Sequence, residues 1–168
     1  RSDPVAYNAL EDAIRRIRSM MILYEKLYQA EEYSAISATE YLADLVDEIV
    51  CNFPSYSSIR IEKQLDELTL DPKSVQSLGI IINELVTNAM KYAFVGREGG
   101  LILIRETVGN GYATVCVADN GNGFPESVSF DNSPGFGMLL VKSLAAQLRG
   151  TVRLEKGVGT RIILEFPI

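Results

Sequence analysis

Apolar residues recur at alternating steps of three and four through Leu10, Ala13, Ile17, Met20, Tyr24 and Leu27, and Ile14, Met21 and Tyr28 widen the stripe. Glu11, Asp12, Arg15, Arg16, Arg18, Glu25 and Lys26 take the other side. This is the period of an amphipathic helix, with Asp3 as its cap and Pro4 at its first helical position. So wide a stripe calls for a helical partner, within the chain or on a second copy. The run Glu31-Glu32-Tyr33-Ser34 interrupts the pattern as a short connector. Ser37-Ala38-Thr39-Glu40 then reads as a capping box, opening a second helix to about Asn52 with Leu42, Leu45, Val46, Ile49 and Val50 inward. Phe53-Pro54 ends it.

Further on the period switches. Ile59, Ile61 and Leu65 suggest a strand, and Leu68-Thr69-Leu70 a short second one. Asp71-Pro72 caps and starts a third helix that runs to near Phe94, before the turn-rich Gly96-Arg97-Glu98-Gly99-Gly100. Leu101–Ile104 and Tyr112–Ala118 read as strands joined at Gly109-Asn110-Gly111. A helix from about Phe136 to Leu148 stops at Gly150, and Thr151–Glu155 with Thr160–Phe166 form a closing hairpin around Gly157-Val158-Gly159. Mixed helices and antiparallel hairpins predict an α+β fold, a two-layer sandwich preceded by a long helix.

Composition narrows the function. A chain of 168 residues with 47% hydrophobic content can build one core, with a helical appendage. The net charge of −6 and the lack of a dense Lys/Arg cluster argue against nucleic acid as a partner. An anionic ligand would therefore need backbone dipoles, a metal or a few placed cations. Cys51 and Cys116 lie in apolar segments and are expected to be buried thiols in a reducing compartment, with neither a disulfide framework nor a zinc site. No apolar run long enough to span a bilayer and no signal peptide is present, so a cytoplasmic piece is expected, free or belonging to a separately anchored receptor. The chain contains no histidine.

Four constellations carry candidate chemistry. At about 100° per residue, Glu84, Asn88, Lys91 and Tyr92 fall on one arc of the third helix, opposite Leu78, Ile82, Val86, Ala89 and Ala93. An Asn oxygen suits Mg²⁺, and a Glu one turn away can accept a proton; a solvated face looks the same. Asp119-Asn120-Gly121-Asn122-Gly123 follows an apolar strand, where an acid can take a hydrogen bond from a base's exocyclic amine and glycines admit a flat ring. A plain Asx turn is the alternative. Pro134-Gly135-Phe136-Gly137-Met138 opens a helix, whose free amides favour phosphate, although a flexible turn fits as well. Gly157-Val158-Gly159-Thr160 places a hydroxyl on the last hairpin, or is simply a turn. No G-x-x-x-x-G-K-[ST] run occurs, which excludes a P-loop enzyme.

Taken in order, Asn83-Glu84-Leu85-Val86-Thr87-Asn88-Ala89, Lys91-Tyr92, Asp119-Asn120-Gly121-Asn122-Gly123, Gly135-Phe136-Gly137 and Gly159-Thr160 closely resemble the GHKL ATPase superfamily of gyrase, Hsp-type chaperones and histidine kinases. Arg16-Ile17, Ser19-Met20 and Glu25-Lys26-Leu27-Tyr28-Gln29 resemble the second dimerisation helix of HisKA_2-type sensor histidine kinases. The resemblance implies residues 1–31 as that helix and 32–168 as an ATP-binding catalytic domain. It implies ATP and Mg²⁺ as cofactors, a homodimer through the helical region, and a response-regulator receiver domain as partner.

By the same resemblance Asn88 binds Mg²⁺, Glu84 polarises the nucleophile, Lys91 contacts phosphate and Tyr92 borders the nucleotide. Asp119 binds the adenine amine with room left by Gly121 and Gly123; Gly135 and Gly137 border the phosphates and hinge a lid; Thr160 supports Asp119. Two departures stand out. The segment from Gly123 to Gly135 is short for a lid, with Phe124 and Phe130 as its aromatic remnants. The phosphoacceptor histidine is absent, as expected if it lies on a helix upstream of Arg1. The alternatives are a GHKL serine/threonine kinase of the anti-sigma type, a hydrolysing ATPase, and a nucleotide-binding dimerisation module without catalysis.

Overall fold

The structure, a computed structural model, describes residues 10, 14, 17 and 21, and then 35–54, 56–124 and 136–168. Leu10, Ile14, Ile17 and Met21 are helical, as the first stripe predicts. The cap at Asp3-Pro4, the connector at Glu31–Ser34, Phe130 and Gly135 lie outside the described residues.

The described elements are β1 (Ile36–Ser37), α1 (Ala38–Cys51), a single 3₁₀ turn, β2 (Ile59–Leu65), β3 (Thr69–Leu70), α2 (Pro72–Asn88), a π turn (Ala89–Ala93), β4 (Gly100–Gly109), β5 (Tyr112–Asp119), α3 (Phe136–Gln147), β6 (Thr151–Gly157) and β7 (Gly159–Pro167). Caps set the helix starts. The Ser37 hydroxyl accepts from the Glu40 amide at 3.2 Å, and the Asp71 carboxylate accepts from the Lys73 and Ser74 amides ahead of Pro72.

Five strands form one sheet in the order β2-β4-β5-β7-β6, while β1 and β3 pair as a separate two-stranded ribbon. Only the β2–β4 pair of the large sheet is parallel. A parallel pair needs a crossover, and α2 supplies it, which is why this helix lies across the sheet. The β4–β5 hairpin turns at Asn110 (φ 53) and Gly111 (φ 77), both in the left-handed region that a two-residue hairpin loop requires.

Alternation decides the core. Ile102 and Ile104 of β4, Val115 and Val117 of β5, and Ile162, Leu164 and Phe166 of β7 turn toward the helices. They meet Leu42 and Val46 of α1, Leu78, Ile81 and Ile82 of α2, and Val141 and Ala145 of α3. Helix α2 packs against both α1 and α3, so the molecule is a helical layer on a sheet. Helices α1 and α2 meet at Gly79, where a Cβ would run into the Tyr41 phenol ring. Burial pushes that phenol far above its ordinary pKa, with the charge of Glu48 adding to the effect.

Several expectations change. The third helix is not α-helical to Phe94: its last turn, Ala89–Ala93, widens to a π turn. Cys51 is exposed and Cys116 half-buried, and both are free thiols, not buried ones. Cys51 is one position past the inward Ile49-Val50 pair of α1, and Cys116 alternates with inward Val115 and Val117, which puts it on the open face of the sheet. Helix α3 ends at Gln147, and the left-handed residue that closes it is Arg149 (φ 56), not Gly150. The Arg149 amide bonds the Ala146 carbonyl and the Gly150 amide bonds the Ala145 carbonyl, a Schellman closure with arginine in the left-handed position. Gly150 is needed for close approach instead, since a Cβ there would press on Phe166 Cβ at 2.8 Å.

Candidate functional site

Asp119 is the last residue of β5 and faces Ile102 of β4 and Thr160 of β7 in register. Its Oδ1 accepts from the Gly121 amide at 2.8 Å and the Thr160 amide at 3.2 Å. Both amide bonds fall on one oxygen, and Oδ2 takes neither. Burial raises the carboxyl above the usual aspartate value, while the bonds from Gly121 and Thr160 and the Arg97 charge pull it down. The result is a half-buried acid at a strand end, its Oδ1 fixed by two amides, which suits it to accept a hydrogen bond from a ligand.

Glycines bring three backbones together around this acid. Gly159 (φ 79) lies against Asp119 so closely that a Cβ would stand 2.7 Å from the Asp119 carbonyl carbon. Gly123 (φ 71) faces the Gly159 carbonyl oxygen, 3.1 Å from where its Cβ would be. Gly121 is buried against the end of the π turn, where a Cβ would stand 2.6 Å from the Ala93 carbonyl carbon. No side chain fits at Gly121 or Gly159 without moving main chain.

Hydrogen bonds hold the same junction. The Asn122 amide donates to the Ala93 carbonyl at 2.7 Å, and the Asn122 side chain donates to the Val95 carbonyl at 2.9 Å. The Arg97 guanidinium donates to the Asn120 carbonyl at 2.7 Å, and the Asn120 side chain accepts from the Leu101 amide at 2.8 Å. The π turn at the end of α2 is thus tied by a main-chain bond at Ala93 to the loop that follows Asp119. Asn88 is the last residue of α2, immediately before that turn.

The polar arc of α2 is graded, not uniformly wet. Glu84 is 3% exposed and Asn83 6%, each with a partner of its own. Asn88 and Lys91 are half-buried, and Tyr92 is 64% exposed. Gly137 is buried in the first turn of α3, the helix that packs on α2. Asp119, Gly121 and Thr160 therefore meet directly, Gly123 lies against Gly159 beside them, the Asn88–Tyr92 segment is joined to them through Ala93, and Gly135 lies outside the described residues. Among the described residues, no group of three or more His, Cys, Asp or Glu could hold a metal by itself. A single amide oxygen such as Asn88 fits Mg²⁺ only where phosphate and water complete the shell.

Gly159, Asn120 and Asn122 enter the sequence reading only as members of motifs and Arg97 only as part of a loop, none of them with a part in building the site. Gly159 had a signal, because a glycine just before Thr160 in a tight hairpin is the residue able to lie on Asp119. The three side chains act by closing loop carbonyls and amides, and their polar type alone carried no signal of that.

Comparison with known proteins gives the family of the chain. Residues 74–168 match the model of the histidine kinase-, DNA gyrase B- and HSP90-like ATPase family, and residues 1–53 match a histidine kinase family model. The chain is 25% identical to blue-light-activated histidine kinase 2 of Erythrobacter litoralis, over 92% of its length and 46% of that protein's. It is 27% identical to the sensor histidine kinase PdtaS of Mycolicibacterium smegmatis, over 99% of its length and 34% of that protein's. The chain thus spans less than half of these curated relatives. In structure it is similar to the histidine kinase domain of a blue-light-activated histidine kinase from Erythrobacter litoralis, with a TM-score of 0.80 at 24% identity, over 91% of this chain and 73% of that one. The chain belongs to the histidine kinase-, DNA gyrase B- and HSP90-like ATPase family.

Proposed function

We propose that this chain is the ATP-binding catalytic portion of a sensor histidine kinase, with residues 1–31 as a dimerisation helix and 32–168 as the catalytic domain. The observation that carries the proposal is Asp119 held at a strand end by the Gly121 and Thr160 amides, with the end of α2 tied beside it. The names of the relatives, each a histidine kinase, support it further.

In this reading Asp119 accepts a hydrogen bond from the adenine amine, Thr160 keeps the carboxylate in place, and Gly121 and Gly123 leave the ring its space. Tyr92 borders the nucleotide, Lys91 contacts a phosphate, and Gly135 and Gly137 carry the hinge of a short lid. Asn88 lends its amide oxygen to Mg²⁺, which when bound neutralises phosphate charge. Glu84, one turn before Asn88, polarises the accepting imidazole of a histidine supplied from outside these residues. That histidine takes the γ-phosphoryl group and a response-regulator aspartate receives it next. The chain's part is positioning and charge neutralisation, which phosphoryl transfer mostly demands. The kinase works in the cytoplasm as a homodimer through its helical region.

Calorimetry with a non-hydrolysable ATP analogue, with and without Mg²⁺, tests the first step. Binding strengthened by Mg²⁺ is expected. Asp119→Asn should weaken it by about ten- to a hundredfold, the worth of a hydrogen bond to a charged group. No binding, or binding indifferent to Asp119→Asn, overturns the assignment. Transfer is tested by supplying the acceptor helix and looking for acid-labile, base-stable phosphate.

A further inference from the structure

Glu106 lies far from the nucleotide site and has no part in the chemistry above, yet it is the most deeply buried ionisable group among the described residues, 0% exposed in the middle of β4. It belongs to the inward series Ile102, Ile104, Glu106, so alternation drives a carboxyl into the core where an aliphatic residue would be ordinary. In register it stands between Leu65 of β2 and Val115 of β5. Its Oε1 has no hydrogen-bond partner among the described residues, and Oε2 lies 3.5 Å from the hydroxyl of Thr39 in the first turn of α1.

The protons at Thr39 can be counted. The hydroxyl has one hydrogen and two lone pairs. The hydrogen goes to the Asp66 carbonyl at 2.8 Å, and one lone pair accepts the Leu68 amide at 2.9 Å. The remaining lone pair can only accept. An ionised Glu106 must compete with the Asp66 carbonyl for one proton, and as long as the carbonyl keeps its 2.8 Å bond the buried carboxylate goes without. A protonated Glu106 donates to the free lone pair and every group at Thr39 is satisfied.

Charges nearby push the same way. The Asp66 carboxylate, which accepts from the Val108 amide, disfavours a second negative charge. On α1, Glu40 is exposed and the Tyr41 phenol is buried over Gly79. The Lys63 ammonium on β2 is spent on Asp47 at 2.7 Å and the Ala43 carbonyl at 3.1 Å. Val115 and Leu65 are apolar. Burial raises the Glu106 carboxyl to about 7; the Thr39 bond, the next largest effect, opposes it, and the Asp66 charge adds a smaller push upward.

Thr39 is where the chain enters the sandwich. It follows β1 and Ser37, and the Ala38 amide donates to the Leu68 carbonyl at 2.8 Å, so Thr39, Ala38 and the β1–β3 ribbon dock as a unit. We propose that Glu106 and Thr39 form a protonation-dependent latch that fixes the start of α1 and the β1–β3 ribbon to the sheet and loosens when the carboxyl ionises. The latch sits where the chain enters the domain at the start of α1.

The sign follows from proton binding. Well below the ordinary carboxyl value of 4.5, folded and unfolded chains are both protonated at this group. Between there and about 7 the docked state keeps a proton that the open state has lost, so docking weakens as pH rises and levels off above that window.

Hydrogen exchange on the full chain, corrected for intrinsic rates, reads this directly at the Ala38 and Leu68 amides. Relative to core amides such as Ile104 and Val117, their protection should fall at least about tenfold from pH 5.5 to pH 8.5 in the wild type. Glu106→Gln, which donates to Thr39 at every pH, should abolish the decline. A flat wild-type profile, or the same decline in Glu106→Gln, overturns the proposal. Should that variant not fold, the side-chain carboxyl carbon of Glu106, followed by NMR in the wild type, decides. Titration near neutrality sustains the latch, and ionisation already complete at pH 5.5 overturns it.

Discussion

At the scale of single residues, the site is a set of exceptions to what each side chain prefers. Asp119 is held half out of water with its carboxyl raised by burial, which costs stability at neutral pH and readies an acceptor for a ligand. Asp119→Asn keeps an Oδ1 for the Gly121 and Thr160 amides and removes the buried charge. Its melting temperature should therefore be no lower than that of the wild type, although nucleotide binding is weakened; thermal melts of the two apo proteins check this. Because the raised carboxyl regains its proton at higher pH than a free aspartate, nucleotide affinity should decline on acidification with a midpoint above 3.8. Calorimetry over a pH series measures it, and a midpoint at or below that value counts against Asp119 as the amine acceptor. Gly159 carries a sharper demand: Gly159→Ala sets a Cβ against the Asp119 backbone in a left-handed conformation. It should cost about 1–3 kcal/mol in denaturant unfolding and weaken nucleotide binding with it.

Among elements, the boundaries that sequence made legible are those written in local chemistry. Ser37 and Asp71 announce their helices because a side-chain oxygen must meet free amides, and Asn110-Gly111 announces its hairpin because two residues must turn left-handed. The four constellations likewise marked Asp119 and Thr160, which do meet. What was not legible depends on tertiary contact. β1 is two residues long and exists only because β3 pairs with it. The π turn at Ala89–Ala93 has no breaker residue to betray it, and its end is fixed by Asn122, far along the chain. Gly150 looked like a helix stop but is a packing glycine, and Arg149 takes the left-handed position. A residue with a Cβ is strained there, so Arg149→Gly should raise stability by about 0.5–1 kcal/mol, read from the urea midpoint at unchanged slope. An unchanged or lowered midpoint would mean that the arginine side chain supplies an interaction worth the strain.

For the whole molecule, the question is what covers the helical lead-in. The sandwich buries its own apolar residues well, yet Leu10, Ile14, Ile17 and Met21 are 61%, 39%, 55% and 57% exposed. Their steps of four, three and four place them along one side of a helix, the seam spacing of helices that pair. Isolated exposed apolar residues are ordinary, but four in register form a stripe that water disfavours. A second copy presenting the same stripe would cover it, as two-fold symmetry allows. Sedimentation of this chain should then show a monomer–dimer equilibrium. Ile14→Glu with Ile17→Glu should shift it at least about a hundredfold toward monomer, since each isoleucine loses roughly 1.5–3 kcal/mol of burial and gains a charge at the seam. Neither residue is among those placed at the nucleotide site, so nucleotide binding by the double variant should match the wild type. A wild type that stays monomeric at high concentration would show that the stripe is met by a different helix, not by its own copy.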